Sequence, residues 1–347
     1  MGIRAGIIGI ASFYSRAFAG ALRRHRDVEL VAAAHLGDTD ANLTAAGALA
    51  RADYAAQHQL TLYESPEEMI EKERLNAAFV CARDHRKADY VEIAAAAGLD
   101  VYLSKPMAGS IEEADRIAAA AQRHRILIST LSPARYDGAF AEAYRRVRNG
   151  EVGRVLAVRA WIQHGQLDVK RVNEVSPEFG PGQGGPELGL GVYAADALCW
   201  FMGDRPTRVY AEYDNLNTPG SPFMDVGAGT VRFAGGGIGS MVLYYSTPCS
   251  APPWEVEIVG DKGILRTHQD VYEGILWRTG NPLVVPFYRN QNDVIGRGID
   301  LFVEACLKRT EPEYRIDVAR DVIEVCFAWN RSAATGAPVD LPLKREG

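Results

Sequence analysis

The chain has 347 residues, 47% of them hydrophobic and 24% charged, proportions that describe a globular protein long enough for two domains. A formal net charge of -6 and a pI near 5.7 give no electrostatic footprint for nucleic acid or an anionic membrane surface, so neither is expected as a partner. The five cysteines are odd in number and never spaced C-x-x-C, which argues against a disulfide framework or a thiolate metal site and for a reducing, cytoplasmic setting. No apolar run reaches the roughly 18 residues a membrane span needs, and Met1 leads into a strand rather than a basic leader.

Ile3 to Ile10 is a continuous apolar run suited to a strand buried on both faces, and Ser15 to Arg24 reads as a helix. The couplet then recurs. Short apolar strands are expected at Val28 to Ala34, Leu60 to Tyr63, Ala77 to Ala82, Asp100 to Leu103 and Ile126 to Ser129. Between them, helices are expected at Ala41 to Gln57, Pro66 to Arg74, Arg86 to Ala97 and Ile111 to Arg123. Strands alternating with helices imply right-handed crossovers and a doubly wound parallel sheet, an α/β dinucleotide-binding domain over residues 1–130. Ligands of such sheets bind beyond the carboxyl ends of the strands.

The turn after the first strand is Gly9-Ile10-Ala11-Ser12-Phe13-Tyr14, in which only the first glycine of G-x-G-x-x-G survives. Ala11 still permits close backbone approach to a pyrophosphate, Ser12 or Ser15 can donate hydrogen bonds, and Phe13 flanks the helix start. At the end of the second strand, His35 occupies the place of the usual ribose-binding carboxylate and Asp38 follows within reach. No arginine stands at that strand end to hold a 2′-phosphate, so NAD is slightly preferred over NADP. After the strand Asp100 to Leu103 comes Ser104-Lys105-Pro106, a lone cation whose backbone the proline restricts to extended values. Lys105 is thereby presented at a ligand-binding strand end.

Beyond about residue 130 the period changes. A helix at Tyr136 to Asn149 precedes longer alternating strands at Arg154 to Gln163, Thr207 to Tyr213, Gly227 to Phe233, Ile238 to Tyr245, Trp254 to Val259 and Gly263 to Thr267. These describe a C-terminal α+β domain, residues 131–347, with an open, mostly antiparallel sheet. The glycine- and proline-rich stretch Gln166 to Pro186 reads as a substrate-facing lid ahead of a helix at Glu187 to Met202. His164 and Asp168, on either side of the lid's start, are candidate substrate contacts. Two late helices, Gly298 to Lys308 and Asp317 to Ser332, follow, and the last is expected to pack back on the rest of the protein.

Four stretches together resemble the glucose-fructose oxidoreductase, inositol dehydrogenase and rhizopine catabolism (Gfo/Idh/MocA) family. They are Gly6-Ile7-Ile8-Gly9; Leu103-Ser104-Lys105-Pro106-Met107-Ala108; Gly191-Val192-Tyr193-Ala194-Ala195-Asp196 with Trp200 and Gly203; and Ser332-Ala333-Ala334-Thr335-Gly336-Ala337-Pro338-Val339. The resemblance implies a Rossmann domain, a substrate domain with an open sheet of about six strands, and a homodimer or homotetramer formed through that sheet. It further implies NAD(P)-dependent oxidation or reduction of a carbinol on a sugar, inositol or related polyol. The family's E-K-P is Ser104-Lys105-Pro106 here, and its P-N, which lines the nicotinamide pocket, is Arg83-Asp84, followed by His85. Its D-x-G-x-H pair falls on Gly189 and Tyr193, with Asp196 three positions on and on the same side of the helix.

A tyrosine can replace the histidine if its acidity is raised. A free phenol titrates near 10 and imidazole near 6.5, a gap worth roughly 4 kcal/mol. An ammonium about 4 Å away supplies about 4 kcal/mol at an effective dielectric of about 20. Tyr193 is therefore expected to exchange the substrate proton, with Lys105 on the same oxygen. Two other readings stay open: a family fold without dehydrogenase activity that binds a small ligand or a subunit, and a cofactor-bound lyase or glycosidase using transient oxidation. No histidine and carboxylate spacing suggests a metal.

Overall fold

The computed structural model describes residues 2–45, 48–165, 187–217, 224–247, 254–268, 273–277, 283–286 and 293–343, which divide into two units. The first takes in Met1–Leu131 and Ile295–Arg320. Its strands are β1 (Ile3–Ile8), β2 (Val28–Ala34), β3 (Thr61–Tyr63), β4 (Ala77–Val80), β5 (Asp100–Leu103) and β6 (Ile128–Thr130). All pair in parallel, in the order β3-β2-β1-β4-β5-β6. The order reverses between β1 and β4, so the ligand crevice opens beyond their carboxyl ends. β4 and β5 are buried along their whole length, which is why they read as unbroken apolar runs rather than alternating ones.

Phe18, Phe79 and Tyr102 pack ring to ring in this core, and Phe302 of the helix Val294–Lys308 joins them at 6.0 Å from Phe79 and 5.0 Å from Tyr102. That helix belongs to the first unit, although the sequence division places it with the second domain. The single helix expected over residues 41–57 is instead two, Asp40–Ala45 and Arg51–His58. The Asp40 carboxylate accepts from the Arg51 amide at 2.9 Å, tying the start of the second helix back to the start of the first.

The second unit is built on β7 (Val155–Gly165), β8 (Pro206–Asp214), β9 (Val226–Phe233), β10 (Ile238–Thr247), β11 (Glu255–Gly260), β12 (Ile264–His268), β13 (Glu273–Trp277), β14 (Leu283–Pro286) and β15 (Val339–Asp340). Among the described residues the order is β14-β13-β12-β11-β7-β10-β9-β8-β15, antiparallel except where β7 and β10 run together. The sheet is thus wider than the six expected strands, extended at both edges by β13, β14 and β15.

One face is covered by the helix Val192–Met202, whose residues through Phe201 are all buried. A Cβ on Gly239 of β10 would meet Leu198 at 2.7 Å, so the glycine lets helix and sheet approach closely. Fully buried Trp329, on the helix Ile316–Thr335, packs on the same face against Gly227, Gly229 and Tyr213. The other face carries Trp161 against Tyr244, and Arg266 paired with Glu255. The helix expected over 187–202 starts with one wider π turn, Glu187–Gly191. That expected over 136–149 is two, Pro133–Tyr136 and Gly138–Arg148, because Asp137 caps the second by accepting from Ala139 and Phe140.

Candidate functional site

The carboxyl end of β1 has the shape of a dinucleotide turn. Gly9 sits at φ +92, and a Cβ there would meet the Ala82 amide nitrogen at 2.9 Å, so only glycine passes between β1 and the end of β4. Ser12 caps the helix Phe13–Arg24 by accepting from the Ser15 amide, and no acidic side chain stands in the first turn to oppose an anion at the helix start. Ser15 is buried and spends its hydroxyl on the carbonyls of Ile10 and Ser12, so of the two expected hydroxyl donors it is committed internally. Ala11 is half-buried and Phe13 is 64% exposed. Tyr14, where a glycine is usual, packs edge-on against Phe13. Gly9, the unopposed helix start and Asp38 fit a dinucleotide cofactor.

At the end of β2, His35 is buried, donates its backbone amide to Tyr63, and leaves Nδ1 without a hydrogen-bond partner. Asp38 is the more accessible of the two. Burial raises its carboxyl above the usual range, while the charges of Arg83 and His35 pull it down. The charge of Arg83, an exposed residue in the loop after β4, is thus felt at this strand end.

Beyond β5, Lys105 is half-buried with its ammonium 5.9 Å from the centroid of the Tyr14 ring. The same strand-end cation thus meets the first turn of the nucleotide-binding helix. Ser104 and Pro106 on either side are buried, and both give their carbonyls to the ammonium of Lys87. Lys87 was not legible as a site residue, because an Asp-His-Arg-Lys run normally marks a solvated turn. His85 is exposed in the short turn Asp84–Arg86, and its charge opposes the burial that raises the Glu113 carboxyl.

In the second unit, Tyr193 begins the helix over β7 and β10, and its ring meets that of Trp254 at 4.5 Å. Trp254 is fixed by donating its indole N–H to the Gln163 carbonyl at 2.9 Å. His164 stacks on Tyr245 at 5.4 Å and 13°. These four rings gather on the helix-covered face where β7 and β10 end. Asp168 and the expected lid, residues 166–186, lie outside the described residues.

Asp196 has a different employment from the one the motif suggests. Both its oxygens accept from the Arg135 guanidinium, and Ser132 donates to one of them. The pair is 4% and 2% exposed, so this carboxylate is a committed ion-pair anchor rather than an open proton carrier. Arg135 in turn lies over the Trp200 ring at 5.2 Å. Among the described residues no cluster of histidine, cysteine and carboxylate could hold a metal, and no helix is long and apolar enough to cross a membrane.

A family model described as an oxidoreductase family with an NAD-binding Rossmann fold matches residues 3–131, and one described as the GFO/IDH/MocA C-terminal domain matches residues 140–266. The chain is 22% identical over 295 residues to the scyllo-inositol 2-dehydrogenase (NAD(+)) of Bacillus subtilis, covering 81% of this chain and 82% of the relative. It is 24% identical to the myo-inositol 2-dehydrogenase of Thermotoga maritima over 153 residues, 43% of each chain. In fold it is similar to scyllo-inositol dehydrogenase from Lactobacillus casei, solved with NAD(H) and scyllo-inositol, with a TM-score of 0.80, 18% identity and coverage of 98% and 99%. Aldose-aldose oxidoreductase from Caulobacter crescentus, solved with glycerol, also gives a TM-score of 0.80, at 21% identity and coverage of 98% and 100%. A dinucleotide turn at β1, a strand-end lysine after β5 and matched domain models over most of the chain carry one conclusion: it belongs to the Gfo/Idh/MocA family of NAD(P)-dependent oxidoreductases.

Proposed function

We propose that the protein oxidises or reduces one carbinol of a cyclic polyol or sugar of the inositol kind, using NAD in preference to NADP. The observation that carries this reading is the Lys105 ammonium beside Tyr14, a cation held at the cofactor end of the parallel sheet. When bound, the nicotinamide cofactor supplies the hydride acceptor or donor. Gly9, Ala11, Ser12 and Phe13 receive its pyrophosphate end, Asp38 its adenosine ribose hydroxyls with the Arg83 charge acting on that carboxylate rather than at the nicotinamide, and His85 stands at the nicotinamide side. Lys105 holds the substrate oxygen and Tyr193 exchanges its proton. Asp196 serves Tyr193 indirectly, by anchoring through Arg135 the helix that carries the tyrosine.

Trp254, His164 and Tyr245 support a ring-shaped substrate, since a flat aromatic wall suits the C–H face of a cyclic polyol while the polar edges read hydroxyls. The inositol dehydrogenases among its relatives support the same class. The sheet face bearing Trp161 and Tyr244 is proposed to join copies of the chain in a dimer or tetramer, which sedimentation of the purified protein measures.

Titration with NADH and NADPH, followed by nicotinamide fluorescence, and then a panel of inositols and aldoses with the cofactor that binds, test the reading. Tighter binding of NADH and turnover of a cyclic polyol are expected. Absence of binding of either cofactor at millimolar concentration would sink it; binding without turnover of any polyol would favour a non-dehydrogenase member of the family.

A further inference from the structure

Lys87 is wholly buried at the first position of the helix Lys87–Ala96. Nothing about the helix favours a cation there, since the helix start carries the positive end of its dipole. Removing an ammonium from water is costly unless each of its donors is matched. All three are matched: to Asp84 Oδ1 at 2.8 Å, to the Ser104 carbonyl at 3.0 Å, and to the Pro106 carbonyl.

The two carbonyls are those of the residues on either side of Lys105. The ammonium therefore ties the chain down immediately before and immediately after the strand-end cation. Asp84, which carries the balancing charge, sits in the turn after β4, and its own carbonyl accepts from the Gly109 amide at 3.1 Å. The Ser104 amide donates to Val80 at the end of β4 at 2.9 Å. The segments following β4 and β5 are thus stitched together around Lys87. Lys105, projecting from the middle of the stitched stretch, has its ammonium by the Tyr14 ring.

We propose that Lys87 is a positioning residue for Lys105: the buried Lys87–Asp84 pair fixes the backbone on both sides of the strand-end lysine and so sets the direction in which its side chain leaves. The kinetic consequence rests on the reading that Lys105 holds the substrate oxygen. The mechanical one does not.

Two variants test it, Lys87→Gln and the paired D84L/K87M, the second because a buried ion pair replaced by apolar groups of similar volume usually folds. With the best substrate of the polyol panel, either variant is expected to lose on the order of 100-fold in kcat, the scale of a small misplacement of a catalytic group. For Lys87→Gln, which leaves Asp84 and the pyrophosphate turn in place, NADH affinity should stay within about threefold. In a Lys105→Ala background the same substitutions should change kcat by less than about twofold, since residues acting as one unit are not additive. An equal loss in both backgrounds makes Lys87 a fold stabiliser only and overturns the proposal.

A second readout needs no turnover. Acetylation of the intact protein, followed by mass spectrometry, compares the labelling rate of Lys105 with those of Lys262 and Lys308. A several-fold change at Lys105 alone, with faster hydrogen exchange over residues 103–109, is expected in both variants. Unchanged rates overturn the clamp even if the enzyme is active. If the wild type turns over no polyol, the functional reading fails while this readout still decides the clamp.

Discussion

The ring of Tyr193 lies against that of Trp254, with centroids 4.5 Å apart and planes inclined by 31°. That contact orients the phenol from the ring side, leaving the role of the hydroxyl to be tested separately. Tyr193→Phe keeps the packing and removes only the oxygen. General acid or base catalysis contributes about 10²- to 10⁴-fold, so kcat should fall within that range with KM little changed. Steady-state kinetics on the best polyol of the panel measures it, and a variant as fast as wild type takes tyrosine out of proton transfer.

Trp254→Ala should act differently. Losing the aromatic wall removes uniform binding, so KM for a ring substrate should rise about tenfold while kcat moves less. An open-chain polyol of similar size serves as control. Equal losses for both would mean that the tryptophan only supports the fold.

Asp196→Asn tests the anchor. It leaves the buried Arg135 guanidinium without its counter-charge, and breaking a buried pair on one side costs about 3–5 kcal/mol. Denaturant unfolding should show that loss, and Asp196→Leu combined with Arg135→Met should recover most of it. A variant of wild-type stability but no activity would return the carboxylate to the chemistry.

Cofactor choice turns on Asp38. The Arg83 charge already acts on this carboxylate, so Asp38→Ser removes a negative charge that this cation now faces. The ratio of NADPH to NADH affinity should rise by about 10-fold or more, as expected when an arginine is freed for a 2′-phosphate and a ribose-binding carboxylate is lost. Fluorescence titration with both cofactors reads it, and an unchanged ratio removes Asp38 from ribose recognition.

Burial raises the Glu113 carboxyl, with the Gly109 amide opposing the shift. A carboxyl raised in the fold favours the protonated form, so its contribution is present below the unfolded value, about 4.3, and is lost as pH climbs through the folded value. Over the pH range above about 4.3 the wild type should therefore lose stability relative to Glu113→Gln, which still accepts from Gly109. Parallel stability curves for the two proteins in that window would contradict this.

The parallel sheet was legible because β1, β4 and β5 are buried on both faces and carry that fact in unbroken apolar runs. Lys105 was legible too, as a cation at a strand end ahead of proline. Lys87 was not, since nothing local separates it from its ionisable neighbours Asp84, His85 and Arg86. The spacing of Tyr193 and Asp196 could be read off a helix, but the partner that claims Asp196 lies 61 positions away. Arg83 and Asp38 follow different strands, and only the pairing of β1 with both β2 and β4 brings those strand ends near each other.

Taken by itself, the sequence determined the alternation of strands and helices in the parallel sheet, the two-part organisation, the family and the position of the strand-end lysine. Those properties are written in short periods and contiguous residues, where each side chain's preference is felt by its immediate neighbours. The tertiary structure alone decided which charges are buried and what each one holds: Lys87 on the carbonyls around Lys105, and Arg135 on Asp196. Desolvation and pairing depend on what distant segments bring alongside, so a charge's role emerges only when its surroundings have closed around it.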